Sequence, residues 1–274
     1  NNLMAEADVS MGRIFEILDA DDESPYTGKR PDMVPVSPQE IDIKGLSFSY
    51  PGREMIFKNL NLTIKRGELT LVAGESGCGK STLLSLITGE YPFSEGEITI
   101  GGISVRHIDI RSLREYITVV PQRAVILNCT LLQNIAPERG GCDTEKVRSI
   151  CKRLNLDGMV KDLPFGLNTD LNEKGIKLSG GEIRRIAVAR AIYRDTPVYL
   201  FDEPTASVDR ENKRLVIREI DSLRRRNKSV VVVTHDIEAF YRYGAGIDKI
   251  IRIFRDKTSA HSAVEVCTPE SQIF

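Results

Sequence analysis

A glycine-rich segment that runs into lysine, serine and threonine is the clearest candidate for chemistry in this sequence. Residues 74–82 read GESGCGKST, which fits the pattern G-x-x-x-x-G-K-[ST]. The glycines let backbone N–H groups turn inward around phosphate oxygens, the lysine reaches the outer phosphates, and the next hydroxyl can bind magnesium. A chance glycine-rich turn is the alternative. The predicted phosphate-binding residues are Gly74, Glu75, Ser76, Gly77, Cys78, Gly79, Lys80, Ser81 and Thr82.

Two adjacent carboxylates at the end of an apolar run are the second candidate. Asp202 and Glu203 follow the residues VYLF. Beside a phosphate loop, Asp202 can share a magnesium ion with Ser81, and Glu203 can orient the attacking water. Strands often end in acidic turn residues, so this pair is informative only together with the loop. We therefore predict Glu203 and Lys80 as catalytic residues.

The segments around these residues predict the sheet that positions them. The apolar run LTLVA precedes the phosphate loop, and the helix-like STLLSLI follows it. PVYLFD and SVVVVTHD are nearly continuous apolar runs, typical of strands buried on both faces of a parallel sheet. Upstream, IDIKGLSFSY and NLNLTI have the pattern of shorter strands, and two glycines in ITI-GG-ISV predict a tight hairpin.

The predicted fold class is therefore α/β, a P-loop NTPase core with a mostly parallel sheet, an antiparallel β subdomain and an inserted helical subdomain. The helical lobe is placed at about 123–180, with Asp143 as a helix cap. The helix that follows Asp143 is predicted to turn one apolar stripe toward the core, formed by Val147, Ile150, Cys151 and Leu154.

The ends of the chain are predicted to lie outside this core. Apolar residues at helical spacing predict a helix up to about Leu18, and four prolines with acidic residues predict an extended connector over 19–39. The predicted division is 1–40 for this helix and linker, 41–255 for the domain that carries the phosphate loop, and 256–274 for a frayed polar tail.

The composition excludes several classes of protein. The 274 residues include 38 basic and 39 acidic side chains, which argues against a generally basic nucleic-acid binder. No run approaches the ~20 apolar residues that span a bilayer. The five cysteines lack C-x-x-C spacing and the three histidines lack helical spacing, so neither a disulfide framework nor a protein-only metal site is expected.

The segment between the two motifs indicates the family. Ser179, Gly180, Gly181 and Glu182 follow Leu178 and precede the helix-like IRRIAVARAIYRD. This segment resembles the LSGGQ-type signature of ABC ATPases, and it can act as a second anion site, with Ser179 as cap and glycine amides at a helix N-terminus. An ordinary capped helix start is the alternative for these residues taken alone.

Four further residues resemble family positions in the expected order. The resemblance implies that Tyr50 stacks on adenine, Gln122 is the Q-loop glutamine and a magnesium ligand, Asp209 lies in the D-loop, and the catalytic His235 contacts the γ-phosphate. Each has a simpler alternative: a strand aromatic, a turn residue, a helix cap and a strand-end histidine.

The resemblance implies a head-to-tail dimer with ATP and Mg²⁺ between the phosphate loop of one copy and the signature of the other. The partner is a second ATPase domain, identical or paired, together with a transmembrane domain of the same transporter. The domain would lie at the cytoplasmic face of the membrane, and no nucleic-acid partner is expected.

The segment TDLNEKG at 169–175 and the upstream RIFEILD resemble ABC exporters in which the ATPase domain follows a transmembrane domain. Asp236 is more importer-like, and the usual hairpin is not recognisable after Ile253. The alternatives are an importer subunit, a soluble ABC ATPase outside transport, or a small-molecule kinase. Alkylation of Cys78 is expected either to block ATP binding or, if Cys78 is an inert filler, to have no effect.

Overall fold

The computed structural model describes residues 40–137, 141–173, 175–255 and 262–267. Within these ranges the strands are β1 (Ile41–Ser49), β2 (Met55–Ile64), β3 (Leu69–Gly74), β4 (Glu95–Ile100), β5 (Ile103–Ser104), β6 (Ile117–Val120), β7 (Val198–Asp202), β8 (Ser229–Val233), β9 (Lys249–Arg255) and β10 (Ser262–Cys267). They form one mixed sheet in the order β5-β4-β1-β2-β10-β9-β3-β8-β7-β6.

The parallel half of the sheet carries the predicted phosphate loop and carboxylates. Neighbours β9, β3, β8, β7 and β6 all pair in parallel. Every residue of β7 and β8 is buried, as their continuous apolar runs predict. Since the carboxyl ends of parallel strands meet at one edge, the loop after β3 and the residues after β7 and β8 come together there.

The antiparallel half contains β5, β4, β1 and β2. The hairpin between β4 and β5 turns at Gly101 and Gly102, whose φ angles are +57° and +82°. Both values are open to glycine and strained for most other residues, so the predicted two-glycine turn is confirmed.

Helices cover the parallel strands and fill the segment between β6 and β7. Asp143 caps the helix Thr144–Arg153 through its carboxylate, which accepts a hydrogen bond from the Lys146 amide, and the predicted apolar stripe of this helix is buried. The helices are α1 (Lys80–Ile87), α2 (Ile110–Tyr116), α3 (Leu131–Ile135), α4 (Thr144–Arg153), α5 (Asp157–Asp162), α6 (Gly180–Arg194), α7 (Arg210–Arg225) and α8 (Ile237–Arg242).

Two apolar clusters lie on opposite faces of the sheet. Successive strand residues point to opposite faces, so Leu71 belongs to the cluster that packs against α3, α4 and α6, whereas Val72 belongs to the cluster around α1. Both clusters hold the strands in register at the edge where the candidate site lies. No helix in the described ranges has the length and apolar character needed to cross a bilayer.

The C-terminal tail differs from the expectation. Residues Ser262–Cys267, expected to fray, form β10, which pairs along its length with β9 and joins β2 at Ser262 and Phe57. The hairpin that was not recognisable after Ile253 is therefore present. Its sequence, SAVEVC, is short and carries a central charge, so it is difficult to recognise as a strand. Pairing with neighbouring strands makes it one. The predicted N-terminal helix and connector lie outside the described residues.

Candidate functional site

The predicted phosphate loop connects β3 directly to α1. A Cβ on Gly74 would lie 2.0 Å from the carbonyl oxygen of Ile253, so only glycine allows β9 to approach the loop this closely. Gly79 has a φ of +103° and immediately precedes α1. A left-handed residue here turns the chain so that consecutive backbone N–H groups can point into one concave space.

The Lys80 side chain folds back over this loop. Its ammonium donates hydrogen bonds to the carbonyl oxygens of Gly74, at 2.8 Å, and Glu75, at 2.6 Å. The residue is 7% exposed, so these bonds satisfy a charge that would otherwise be costly to bury. The ammonium group therefore already lies beside the loop, where it could contact a phosphate oxygen.

Ser81 and Asp202 meet although they lie far apart in the sequence. The Ser81 hydroxyl donates a 2.7 Å hydrogen bond to Asp202 Oδ2, joining the first turn of α1 to the end of β7. A hydroxyl and a carboxylate are hard oxygen donors of the kind that Mg²⁺ prefers when it is bound together with phosphates. The donor set therefore fits the predicted ion, and Gln122 lines the same cavity.

Glu203 stands at a sharp bend immediately after β7. Its φ is +54°, an uncommon value for a residue with a side chain, and its amide donates to the Val233 carbonyl at the end of β8. His235 Nε2 lies 3.1 Å from Glu203 Oε1, but the two are not aligned as a hydrogen bond, and Oε1 is a buried acceptor without a hydrogen-bond partner in the described ranges.

The environment of Glu203 suits a proton acceptor. Burial raises the pKa of this carboxyl above its ordinary range, and nearby His235 opposes the shift. A base with a raised pKa and an unfilled lone pair can hold a water molecule and accept its proton.

Most of the predicted site residues line one cavity of about 600 Å³. That volume lies within the range typical of small-molecule sites. The sheet edge thus brings together Tyr50, Ser76, Gly77, Gly79, Lys80, Ser81, Thr82, Gln122, Asp202, Glu203 and His235.

Tyr50 forms part of the wall of this cavity. Its hydroxyl lies 3.2 Å from Thr82 Oγ1, and its ring makes edge-to-face contacts with Phe48 and Tyr91 at centroid distances of 5.1 and 5.0 Å. These contacts hold the ring at the cavity wall, where stacking on a base remains a prediction.

The signature residues cap α6 and do not line this cavity. The Ser179 hydroxyl accepts from the Glu182 amide, and the Glu182 carboxylate accepts from the Ser179 amide and hydroxyl, both at 2.7 Å. This is the reciprocal capping box that S-x-x-E predicts. A Cβ on Gly181 would lie 3.4 Å from the Ser207 carbonyl, so the signature packs against the turn that leads to α7.

Asp209 is the N-cap of α7, as its simpler alternative predicts. Its carboxylate accepts from the amides of Glu211 and Asn212 and from the Asn212 side chain, and this last bond is the main reason that the Asp209 pKa is lowered. A role in a D-loop stays a prediction, since the capping contacts lie within one chain.

Arg184 is a residue that the sequence reasoning missed. It is 8% exposed, and its guanidinium donates to the carbonyl oxygens of Pro121, at 2.9 Å, and of Gln122. The signature helix α6 therefore holds the Gln122 turn at the cavity wall. The signal that could have revealed it is an arginine inside the otherwise apolar register of IRRIAVARA.

The side chain of Cys78, a residue of the phosphate loop, is buried and therefore protected from reagents in solution. It is 3% exposed, and burial raises the pKa of its thiol despite nearby Lys80. Because the thiolate is the reacting form, we expect alkylation of Cys78 to be roughly tenfold or more slower than that of half-buried Cys142. Mass spectrometry of peptides after timed labelling measures both rates. Equal alkylation rates for Cys78 and Cys142 would contradict the burial of Cys78 and show that its thiol is reactive.

Comparison with known proteins gives one consistent family. A sequence model described as "ABC transporter" matches residues 57–206, more than half of the chain. The ATP-dependent lipid A-core flippase of Desulfotalea psychrophila is 35% identical over 237 residues, covering 86% of this chain and 41% of the relative. Multidrug resistance protein pgp-1 of Caenorhabditis elegans is 34% identical over 227 residues, covering 81% of this chain and 17% of the relative.

A solved structure agrees with these sequence matches. The structure of a bacterial Atm1-family ABC exporter with ATP bound superposes with a TM-score of 0.82 at 27% identity, covering 97% of this chain and 45% of that chain. This chain therefore spans less than half the length of each of these proteins. Fold, motifs and matched region agree, and the chain belongs to the ABC transporter family as one of its ATPase domains.

Proposed function

We propose that this domain closes head-to-tail on a second ATPase domain around ATP and Mg²⁺, and that closure powers export by a transmembrane partner. One observation carries the proposal. The phosphate loop and the signature are both suited to bind anions, yet the signature residues do not line the phosphate-loop cavity. A single phosphate chain can use both only if a second copy brings its signature to this cavity, which a head-to-tail arrangement does.

The site residues would divide the work as follows. The loop amides and Lys80 hold the phosphates, replacing the carbonyl contacts that Lys80 makes to Gly74 and Glu75. Ser81, Asp202 and Gln122 would hold Mg²⁺, which neutralises charge on the outer phosphates. Glu203 would accept a proton from water as the water oxygen bonds to the γ-phosphorus in line; the bond from that phosphorus to the β-phosphate oxygen breaks, and ADP and phosphate are released. His235 lies close enough to Glu203 to contact the same phosphate.

The proposed transmembrane partner has a suitable surface beside Gln122. A cavity of about 390 Å³ lies between β6 and α6, and Val119, Val125 and Pro121 are among its lining residues. Val125 is 61% exposed and Val119 is 38% exposed, so the cavity is bordered by apolar surface that a partner could cover. A partner helix here would cover Val125 and touch the turn that Arg184 holds, which links partner position to the ATP cavity. With such a partner, the domain would lie at the cytoplasmic face of a membrane.

The relatives support export. They include a lipid A-core flippase, a multidrug resistance protein and a structurally similar ABC exporter. Residues 1–40 would then lead from a transmembrane domain into the ATPase domain. Because β10 belongs to the central sheet, the proposed ATPase domain extends beyond 41–255 and ends at Cys267. Within this domain, residues 123–180 are the proposed helical lobe.

The solution mass of Glu203→Gln tests the proposal. With ATP and Mg²⁺ this variant should double in mass, because ATP bridges two chains and is not consumed; with ADP it should stay monomeric. Adding Ser179→Arg should block doubling while ATP still binds, since the bulky cation fills the signature end of α6. Multi-angle light scattering measures the mass. A monomer with ATP bound, or doubling that survives Ser179→Arg, would refute the ATP sandwich.

A further inference from the structure

The C-terminal hairpin, formed by β9 and β10, packs against the phosphate loop. The Ser262 hydroxyl, at the start of β10, donates a 2.8 Å hydrogen bond to the carbonyl oxygen of Cys78, and both residues are buried. Beside this bond, the Ile253 carbonyl of β9 reaches the Gly74 backbone. Ser262 also pairs with Phe57 of β2, whose ring packs against Gly79. Two strands and one hydroxyl thus contact the same short loop.

The bond to the Cys78 carbonyl fixes the direction of the next amide. In a trans peptide the C=O and N–H groups point in opposite directions. The Cys78 carbonyl points toward β10, so the Gly79 N–H in the same peptide plane points away from β10. Gly79 lines the cavity that holds Lys80 and Ser81. Its amide is therefore directed to where phosphate oxygens would lie.

The Ser262 bond restrains the orientation of the Cys78–Gly79 peptide plane. Gly79 adopts a φ of +103°, and glycine populates positive and negative φ almost equally. A flip of the Cys78–Gly79 peptide would turn a carbonyl, with its partial negative charge, toward the phosphates. The Ser262 hydroxyl opposes the flip because its buried hydrogen bond to the Cys78 carbonyl would be broken.

We propose that Ser262 is a positioning residue for ATP binding: its hydroxyl holds the Cys78–Gly79 peptide in the orientation that presents the Gly79 amide to phosphate. The proposal rests on the proposed role of the phosphate loop. It assigns part of the nucleotide affinity to a strand that lies outside the family-matched region 57–206 and that sequence patterns do not reveal.

A matched pair of variants isolates the hydroxyl. Ser262→Thr keeps the hydroxyl, and Ser262→Val has almost the shape of threonine without it, so both impose the same packing on β10. We expect Ser262→Val and Ser262→Ala to weaken equilibrium ATP binding by about fivefold, the equivalent of one typical hydrogen bond, and Ser262→Thr to bind as the wild type does. In steady-state hydrolysis KM should rise while kcat changes little. Glu265→Ala, at an exposed position on the same strand, is the control.

The outcomes separate positioning from strand stability. If Ser262→Val lowers the melting temperature but binds ATP as tightly as Ser262→Thr, the hydroxyl only stabilises β10 and the proposal is wrong. A fall in kcat at constant KM would overturn it as well. If wild-type protein fails to bind ATP, the proposed function itself fails, whereas normal wild-type binding with equal affinities across the series rejects Ser262 alone.

Discussion

Glu203→Gln should lower the ATP hydrolysis rate by about 100-fold to 10,000-fold, the usual contribution of a positioned general base. The amide has nearly the shape of the carboxylate but cannot accept the proton of the attacking water. ATP affinity should stay close to the wild-type value, because the phosphate contacts of the loop and of Lys80 do not involve Glu203. Phosphate release and equilibrium nucleotide binding, measured on the same preparation, give the two numbers.

The control for this variant is Glu115→Gln, the same chemical change at an exposed position on α2. It should hydrolyse ATP at the wild-type rate. Hydrolysis by Glu203→Gln within a few-fold of wild type would remove Glu203 as the base. The buried, unpartnered Oε1 would then need another explanation, and the raised pKa would reflect only the cost of its burial.

Lys80→Ala should have the opposite profile and weaken ATP binding by about 10-fold to 100-fold, the range expected for loss of charge-assisted hydrogen bonds. The variant lacks the cation that would meet the outer phosphates in place of the Gly74 and Glu75 carbonyls that Lys80 now contacts. Equilibrium binding of ATP and the rise in melting temperature that saturating ATP produces both report the loss.

The matched control is Lys58→Ala, at an exposed position on β2, which should bind ATP normally. Wild-type affinity in Lys80→Ala would mean that the phosphates bind elsewhere. Together, Lys80→Ala and Glu203→Gln separate affinity from chemistry, because the first group contacts ATP in the ground state and the second acts on water in the transition state.

Local patterns made the elements of this fold readable. Glycines with positive φ define the phosphate loop and the β4–β5 turn, and a capping box starts α6. Continuous apolar runs identify β7 and β8 as central strands. Each signal extends over fewer than about ten residues, where backbone sterics and side-chain period act directly. The family resemblance, now confirmed, rests on the order of these same segments.

The failure at the C-terminus has a physical reason. SAVEVC has a weak strand pattern, and it forms β10 because β9 and β2 offer it hydrogen-bonding edges. Strand propensity measures fit to a pleated surface more than an intrinsic backbone preference, so a short, partly exposed segment can be a strand when its neighbours supply that surface.

The sequence by itself determined the family, the central strands β7 and β8, the capped start of α6, and the chemical types available at the phosphate loop and the carboxylate pair. Tertiary structure alone decided which of them touch: Tyr50 and Thr82 across 32 residues, Ser81 and Asp202 across 121, Cys78 and Ser262 across 184. It also decided that the signature residues do not line the phosphate-loop cavity of their own chain. Such contacts depend on how whole strands and helices pack, and no short window of sequence contains that information.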